Sequence, residues 1–293
     1  MKSSLGVRSG IAAAVVVAGA AWFWQSQRDT TLRTDPSDDT VTASKRSVVR
    51  GGCRFEEGQR LALQLKRKST FWVNPVAVMD PNMESSLGRI QTDTVSDEWT
   101  MLWHVERVQM KGALVRMIGI DSGTPRRSSP LAEMRSDTPV FLNIQPNCTF
   151  GKIGAEQGIH PALLRDWQSL LTLMEFVWPR RSGRSWSTVQ TDTTGEYTAD
   201  YSVSPDGTVD RERVEYMSTV PPRPGLQASA KMVGSDASAQ RDGDTGWFTT
   251  MKLREHVQVD IEGAGRFADV NTSVSIRAID VPDHVFWNQS LDM

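Results

Sequence analysis

Large apolar residues recur at every second position through most of the chain between residues 60 and 280. This alternation is typical of β-strands that bury one face and expose the other. The polar turn Ser204–Gly207 separates two such runs, so residues 195–217 are predicted to form a β-hairpin. The clearest runs hold Leu61, Leu63 and Leu65; Trp99, Met101, Trp103 and Val105; Val140, Leu142 and Ile144; and Trp247, Met251, Leu253, Val257, Val259 and Ile261.

Two charged residues interrupt these apolar faces. Arg116 falls on the face that Leu114 and Ile118 define, and Glu255 falls between Leu253 and Val257. Charged side chains are rarely buried unless they are paired, so both positions depart from the strand pattern.

One segment follows a helical spacing instead. Between residues 163 and 178, apolar residues recur three and four positions apart, which forms a broad stripe along one side of a helix. Pro161 suits the first turn and Pro179 stops the helix, so the predicted helix covers residues 161–178. A single apolar helix among many strands needs a concave surface to cover it. The predicted fold is therefore mainly β: a strongly curved antiparallel sheet or open barrel wrapped around one long amphipathic helix.

The first 25 residues are predicted to direct the chain into a membrane. An unbroken apolar run from Ile11 to Trp24 follows Lys2 and Arg8, a charge arrangement that favours export of the rest of the chain. The small residues 18–20 offer a cleavage site, whereas the aromatic residues 22–24 favour an uncleaved anchor at the membrane interface. Residues 1–25 are thus a signal anchor or a signal peptide.

The next stretch has almost no large apolar side chains. Residues 26–50 consist mostly of Ser, Thr, Asp, Arg and Lys, which cannot bury enough surface to offset the entropy of ordering. They are predicted to form a disordered tether, and residues 51–293 a single β-rich exported domain.

The chain has two cysteines, Cys53 and Cys148. In an oxidising compartment, two cysteines without a third suggest one disulfide. The alternative is two separate buried thiols.

Composition removes several function classes. The net charge is -2 and the pI is near 6.1, so the chain lacks the basic footprint of a nucleic-acid-binding protein. The four histidines show no His-x-x-x-His spacing, and phosphate-binding, dinucleotide-binding and serine-hydrolase motifs are missing from the sequence. We therefore expect no metal, no cofactor and no enzymatic activity.

One short motif points the other way. Residues 117–124 place Asp121 after an apolar strand and before Ser and Gly, as in the active-site segment of aspartic proteases. That chemistry needs two carboxylates, and the second Asp-Thr-Gly, which starts at Asp244, follows Arg241–Gly243 instead of an apolar strand. The motif is also the ordinary composition of a turn at the end of a strand.

The order of several segments matches a known pattern. Cys-Arg-Phe-x-x-Gly at 53–58 precedes long strands, a Pro-Val-Phe-Leu-Asn-Ile strand at 139–144, and Pro-Asn-Cys-Thr-Phe-Gly-Lys-Ile at 146–153. After the helix come Thr-Gly-Glu-Tyr at 194–197 and Pro-Asp-Gly at 205–207. This order resembles that of bacterial proteins distantly similar to the N-terminal β-sheet module of vitellogenin-type large lipid-transfer proteins.

The resemblance covers roughly residues 53–280 and includes no catalytic signature. It implies a highly curved antiparallel sheet around one helix, and a role in partner engagement or lipid carriage. It also implies a bacterial cell-envelope location, with the chain anchored in the inner membrane and the C-terminal domain outside the cytoplasm. In the family a helical domain and lipid-cavity sheets follow this module, and we expect no counterpart of them within residues 51–293.

Eight tryptophans lie beyond the N-terminal apolar run. Trp99 and Trp103 share one strand face, and Trp167 and Trp178 share the helical stripe. These four are the predicted lining of a cavity for an apolar or carbohydrate ligand. The alternative is that their rings fill the space between helix and sheet.

Together these features predict a non-catalytic envelope binding module for a lipid or another apolar ligand, tethered to the membrane by its N-terminal segment. A first alternative is a structural or assembly protein that binds another envelope protein. A second is a hydrolase related to aspartic proteases, with Asp121 as its candidate residue.

Overall fold

The computed structural model describes residues 52–78, 90–121, 138–155, 159–178 and 183–282. The predicted signal segment (1–25) and tether (26–50) lie outside these ranges. Within them, no helix has both the length and the apolar character needed to cross a membrane. The elements are β1 (Arg60–Val73), a 3-10 helix (Pro75–Val78), β2 (Gln91–Gln109), β3 (Gly112–Asp121), β4 (Val140–Ile144), β5 (Phe150–Ala155), α1 (Pro161–Met174), β6 (Ser185–Thr191), β7 (Gly195–Val203), β8 (Val209–Thr219), β9 (Ala228–Arg241), β10 (Phe248–Ile261) and β11 (Gly265–Ile279).

All eleven described strands form one antiparallel sheet in the order β5-β4-β3-β2-β1-β11-β10-β9-β8-β7-β6. The first strand is central, because β1 pairs with both β2 and β11. The strands after β1 step outward to β5, and those after β6 step back to β11. Helix α1 therefore connects the two edge strands. For the described residues, the prediction of a mainly β fold with an unclosed antiparallel sheet and one α-helix is confirmed.

The sheet bends enough to bring its two edges to one side chain. Ten strand spacings would separate β5 from β6 by about 48 Å in a flat sheet. The Glu175 carboxylate nevertheless accepts hydrogen bonds from the Phe150 backbone N–H of β5 at 2.6 Å and from Gln190 Nε2 of β6 at 3.3 Å. Glu175, which follows α1, thus bridges the two edge strands β5 and β6. We call the place where these edges meet the seam.

The helix is shorter than the predicted 161–178, because α1 ends at Met174. Beyond it, the backbone N–H groups turn to other elements. Val177 N lies 3.4 Å from the Tyr201 hydroxyl, and Trp178 N donates to the Asn147 carbonyl at 2.8 Å. The apolar residues that suggested a longer helix are still buried, but in a segment without regular secondary structure.

Period-two alternation places the core on one face of the sheet, here called the inner face. Leu63 and Leu65 of β1 and Trp99, Met101 and Trp103 of β2 are almost fully buried on it. A first apolar cluster contains these residues and the buried side of α1. A second, smaller cluster lies at the far end of the long strands and contains Val259, Ile261, Phe267 and Ala268.

The predicted disulfide is confirmed. Cys53 and Cys148 are bonded, with their Cα atoms 5.2 Å apart, and both residues are buried. The bond ties the segment before β1 to the β4–β5 loop, where Cys53 N also donates to the Pro146 carbonyl at 2.9 Å.

Candidate functional site

A pocket of about 200 Å³ lies on the inner face, between the two apolar clusters. We call it the interior pocket. Its apolar wall comes from paired strands, because Val257 and Val259 of β10 lie opposite Val270 and Ala268 of β11. Leu173 of α1 contributes from the helix side. Branched and small apolar side chains at this wall can contact an apolar ligand segment.

The other end of the interior pocket is polar and carries paired charges. Arg213 Nη1 donates to Asp192 Oδ2 at 3.0 Å, and Nη2 donates to the Thr172 carbonyl at 2.9 Å. Arg213 Nε lies 3.1 Å from Glu255 Oε1, an ion pair without the alignment of a hydrogen bond. The Tyr216 hydroxyl donates to the same Asp192 oxygen at 2.8 Å. At this end, one arginine is thus paired with two carboxylates.

A second arginine completes this network from the same strand. Arg211 and Arg213 are two positions apart on β8, so both point to the inner face. Arg211 Nη2 donates to Glu255 Oε1 at 2.8 Å, and both side chains are at most 4% exposed. Buried charges are costly unless they are paired, which explains why Glu255 replaces an apolar residue in β10.

Three arginines bond the carbonyl groups at the end of α1. Arg213 bonds the Thr172 carbonyl, Arg211 Nη1 bonds the Glu175 carbonyl at 2.6 Å, and Arg241 Nη2 bonds the Phe176 carbonyl at 3.1 Å. The last carbonyls of a helix have no partners within it, and they carry the negative end of the helix dipole. Strands β8 and β9 thereby fix the C-terminal end of α1 beside the interior pocket.

Protonation in this region follows from burial. Burial raises the pKa of Tyr216 and the neighbouring Asp192 carboxylate raises it further, so the hydroxyl remains a donor. Burial also raises the pKa of Glu175 from 4.5 to about 7, against the opposing effects of the Phe150 N–H and of Arg211 and Arg213. The side chain that spans the seam therefore titrates near neutral pH.

The four predicted lining tryptophans are buried in the first apolar cluster. Trp99 and Trp167 meet edge to face with their ring centroids 5.2 Å apart. Trp103 packs against Trp247 at 4.4 Å, and Trp178 stacks on Trp186 at 5.4 Å. None of the four lines the interior pocket. Their contact with a ligand stays a prediction.

Comparison with known proteins gives a distant structural likeness. No family model and no curated protein sequence matches the chain. A solved structure described as "Lipid-protein interactions in lipovitellin" aligns with 81% of this chain and 27% of its own, with a TM-score of 0.52 and 10% identity. The predicted resemblance to vitellogenin-type proteins is thus confirmed at the level of fold. The chain spans about a quarter of the lipovitellin chain it matches.

A second solved structure, the COG4313 outer membrane channel from Pseudomonas putida F1, aligns with 84% of this chain and all of its own. The identity is 7% and the TM-score is 0.25, which is too low to indicate a shared fold.

Sequence reasoning missed the interior pocket, although it contained one signal. Glu255 broke the apolar alternation of β10, and it proves to be the carboxylate that both β8 arginines share. Arg211 and Arg213 lie two and four positions after Val209, on the same buried side of β8. The period-two pattern could therefore have placed both arginines on the inner face. Asp192, in the β6–β7 turn, carried no such signal.

The two Asp motifs lie in different settings. Asp121 ends β3 in register with Trp99. Asp244 belongs to the β9–β10 turn, where its N–H lies 3.1 Å from Asp242 Oδ1. Within the described ranges, no group of three or more His, Cys, Asp or Glu residues could hold a metal ion.

Proposed function

We propose that this protein is a non-catalytic binding module for a lipid or another apolar ligand, held in the cell envelope by its N-terminal segment. The interior pocket is the observation that carries the proposal. It joins an apolar wall from β10 and β11 to a neutral polar end, as expected for a site that takes an amphiphile.

The bent sheet supports this assignment. The two apolar clusters on its inner face leave a space between them instead of merging into one core. The likeness to lipovitellin concerns the fold, and the structure it comes from addresses lipid–protein interactions. Lipid carriage by this chain is our proposal.

The location in the envelope is supported by the N-terminal sequence and the disulfide. The apolar run Ile11–Trp24 follows basic residues, as in segments that direct export. Cys53 and Cys148 form a bond that persists in oxidising compartments. We infer anchoring in the inner membrane with the folded domain outside the cytoplasm.

The four predicted lining tryptophans could contact a ligand only after a conformational change. Because Trp99, Trp103, Trp167 and Trp178 belong to the first apolar cluster, they would reach a ligand only if α1 moved away from the sheet. A ligand confined to the interior pocket would contact Leu173 on the other side of the helix.

Native mass spectrometry and solvent extraction of the full chain, expressed in an oxidising compartment, test the proposal. We expect a copurifying apolar molecule at fixed stoichiometry. Val270→Trp should remove it by filling the interior pocket, whereas Asn271→Trp, exposed on the opposite face of β11, should keep it. A bare protein that also binds no added lipid would contradict the proposal.

A second candidate is a structural or assembly protein. On the outer face of the sheet, Ala62 and Leu102 form a small buried cluster, and Ile118, Ile120 and Ile279 pack against it. Val214, Met217 and Val233 are more than two-fifths exposed on β8 and β9. A stable envelope partner recovered without any extractable ligand would favour this function.

A further inference from the structure

We propose that the interior pocket selects an uncharged, single-chain amphiphile, such as a long-chain alcohol or ester, over fatty-acid anions and alkylammonium cations. This inference rests on the proposed function, because it specifies the ligand class of the same pocket.

Charge balance is the first argument. Two arginines, Arg211 and Arg213, face two carboxylates, Asp192 and Glu255, in the network at the polar end. Asp192 and Glu255 each contact an arginine at 3.0 Å or less. These four charges sum to zero, so the ion pairs themselves do not favour an ionised ligand group.

The existing contacts of the charged groups are the second argument. Both terminal nitrogens of Arg213 donate hydrogen bonds, and its face lies 4.2 Å from the centroid of the Tyr197 ring. Asp192 Oδ2 accepts from Arg213 and Tyr216, while Oδ1 accepts from the N–H groups of Thr194 and Gly195 at 2.7 and 3.0 Å. An ionised headgroup entering here would lose its water without gaining a counter-ion, which is costly.

Neutral polar groups, in contrast, have suitable partners. Ser169 of α1 and Thr193 and Thr194 of the β6–β7 turn add hydroxyl groups to the polar end. A hydroxyl both donates and accepts hydrogen bonds, so it can bond an alcohol or an ester of the ligand. The chemistry at this end fits an uncharged polar group.

The size of the pocket suits a single chain. A cavity of about 150 Å³ holds one benzene molecule, and pockets for larger organic ligands reach about 300 Å³ or more. The interior pocket, at about 200 Å³, lies between these values and has room for a single chain segment.

Matched ligands test this selectivity. Titration calorimetry of the full chain at pH 7 compares one alkyl chain with three headgroup charges. It uses 1-decanol below its solubility limit, and decanoate and decylammonium below their micelle concentrations. We expect 1-decanol to bind at least tenfold more tightly than either ion. Equal affinities, or tighter binding of either ion, would overturn the inference and leave the proposed function intact. If no ligand binds, the proposed function fails and this inference fails with it.

A charge placed at the polar end provides a second test. Thr193→Lys adds an unpaired cation beside the pocket, and we expect it to raise decanoate affinity at least tenfold and to lower decylammonium affinity. Thr191→Lys, at an exposed position two residues away that does not line the pocket, is the matched control. The inference is wrong if both variants shift decanoate affinity equally, or if neither does.

Discussion

The backbone N–H of Phe150 donates a 2.6 Å hydrogen bond to the carboxylate of Glu175. Phe150 begins one edge strand of the sheet, and the other oxygen of Glu175 accepts from Gln190 on the opposite edge strand. The seam of the bent sheet is thus bridged by a buried side chain whose pKa is about 7.

This bridge makes stability depend on pH in an unusual direction. Because folding raises the pKa of Glu175 from 4.5 to about 7, the folded chain binds this proton more tightly than the unfolded chain. The contribution is fully favourable below pH 4.5 and is lost as the pH rises towards 7. We expect the free energy of unfolding to fall between pH 5 and pH 7, by up to about 1.4 kcal/mol per pH unit.

Urea unfolding at pH 5, 6, 7 and 8 measures this effect. Glu175→Gln imitates the protonated side chain, so this variant should lose that slope and be more stable than the wild type at pH 8. Glu212→Gln changes an exposed carboxylate on β8 and should keep the wild-type profile. Parallel profiles for the wild type and Glu175→Gln would contradict the account.

The arginines at the end of α1 give a second prediction. Arg213→Met removes a buried partner of Asp192 and Glu255 and the bond to the Thr172 carbonyl. We expect it to lower the free energy of unfolding by about 3–5 kcal/mol, because a buried carboxylate loses its counter-ion. Arg254→Met, on the exposed side of β10, should change it by about 0.5 kcal/mol or less. Similar decreases in the free energy of unfolding for Arg213→Met and Arg254→Met would contradict a special role for the buried ion pairs of Arg213.

Local patterns predicted the strands and the hairpin well, because both depend on neighbouring residues. The runs around Leu63 of β1 and Met101 of β2 alternate as expected, and residues 195–217 form the hairpin of β7 and β8. The predicted helix end was wrong. Arginines from β8 and β9, distant in sequence, bond the Thr172 carbonyl of α1 and the two carbonyls of Glu175 and Phe176 just beyond it. The interior pocket depends on how far the sheet bends, which no local pattern records.

The disulfide gives a third prediction. Cys53 and Cys148 close a loop of 95 residues, for which the chain-entropy relation gives about 4–5 kcal/mol. Replacing both with Ala should lower the free energy of unfolding by about 2–5 kcal/mol, measured in urea. The unaltered native chain should show no titratable thiol. A titratable thiol, or an unchanged unfolding midpoint in the double variant, would contradict this prediction.

The tryptophan pair between helix and sheet gives a fourth. Trp167 is 1% exposed and meets Trp99 edge to face, so Trp167→Ala should lower the free energy of unfolding by about 3–5 kcal/mol. Trp72→Ala removes a partly exposed ring from β1, so it should lower the free energy of unfolding by less than Trp167→Ala does. Ligand affinity of the folded Trp167→Ala variant, measured by titration, shows whether Trp167 also contacts the ligand. Unchanged stability in Trp167→Ala would contradict its place in the core.

Photolabelling locates the ligand most directly. An uncharged single-chain amphiphile with a diazirine near the end of its chain is bound to the full protein, irradiated, and mapped by peptide mass spectrometry. The account predicts adducts on the β10 and β11 peptides that contain Val257 and Val270, and their loss in Val270→Trp but not in Asn271→Trp. Adducts confined to the outer face of the sheet, or unchanged by Val270→Trp, would contradict the interior pocket as the binding site.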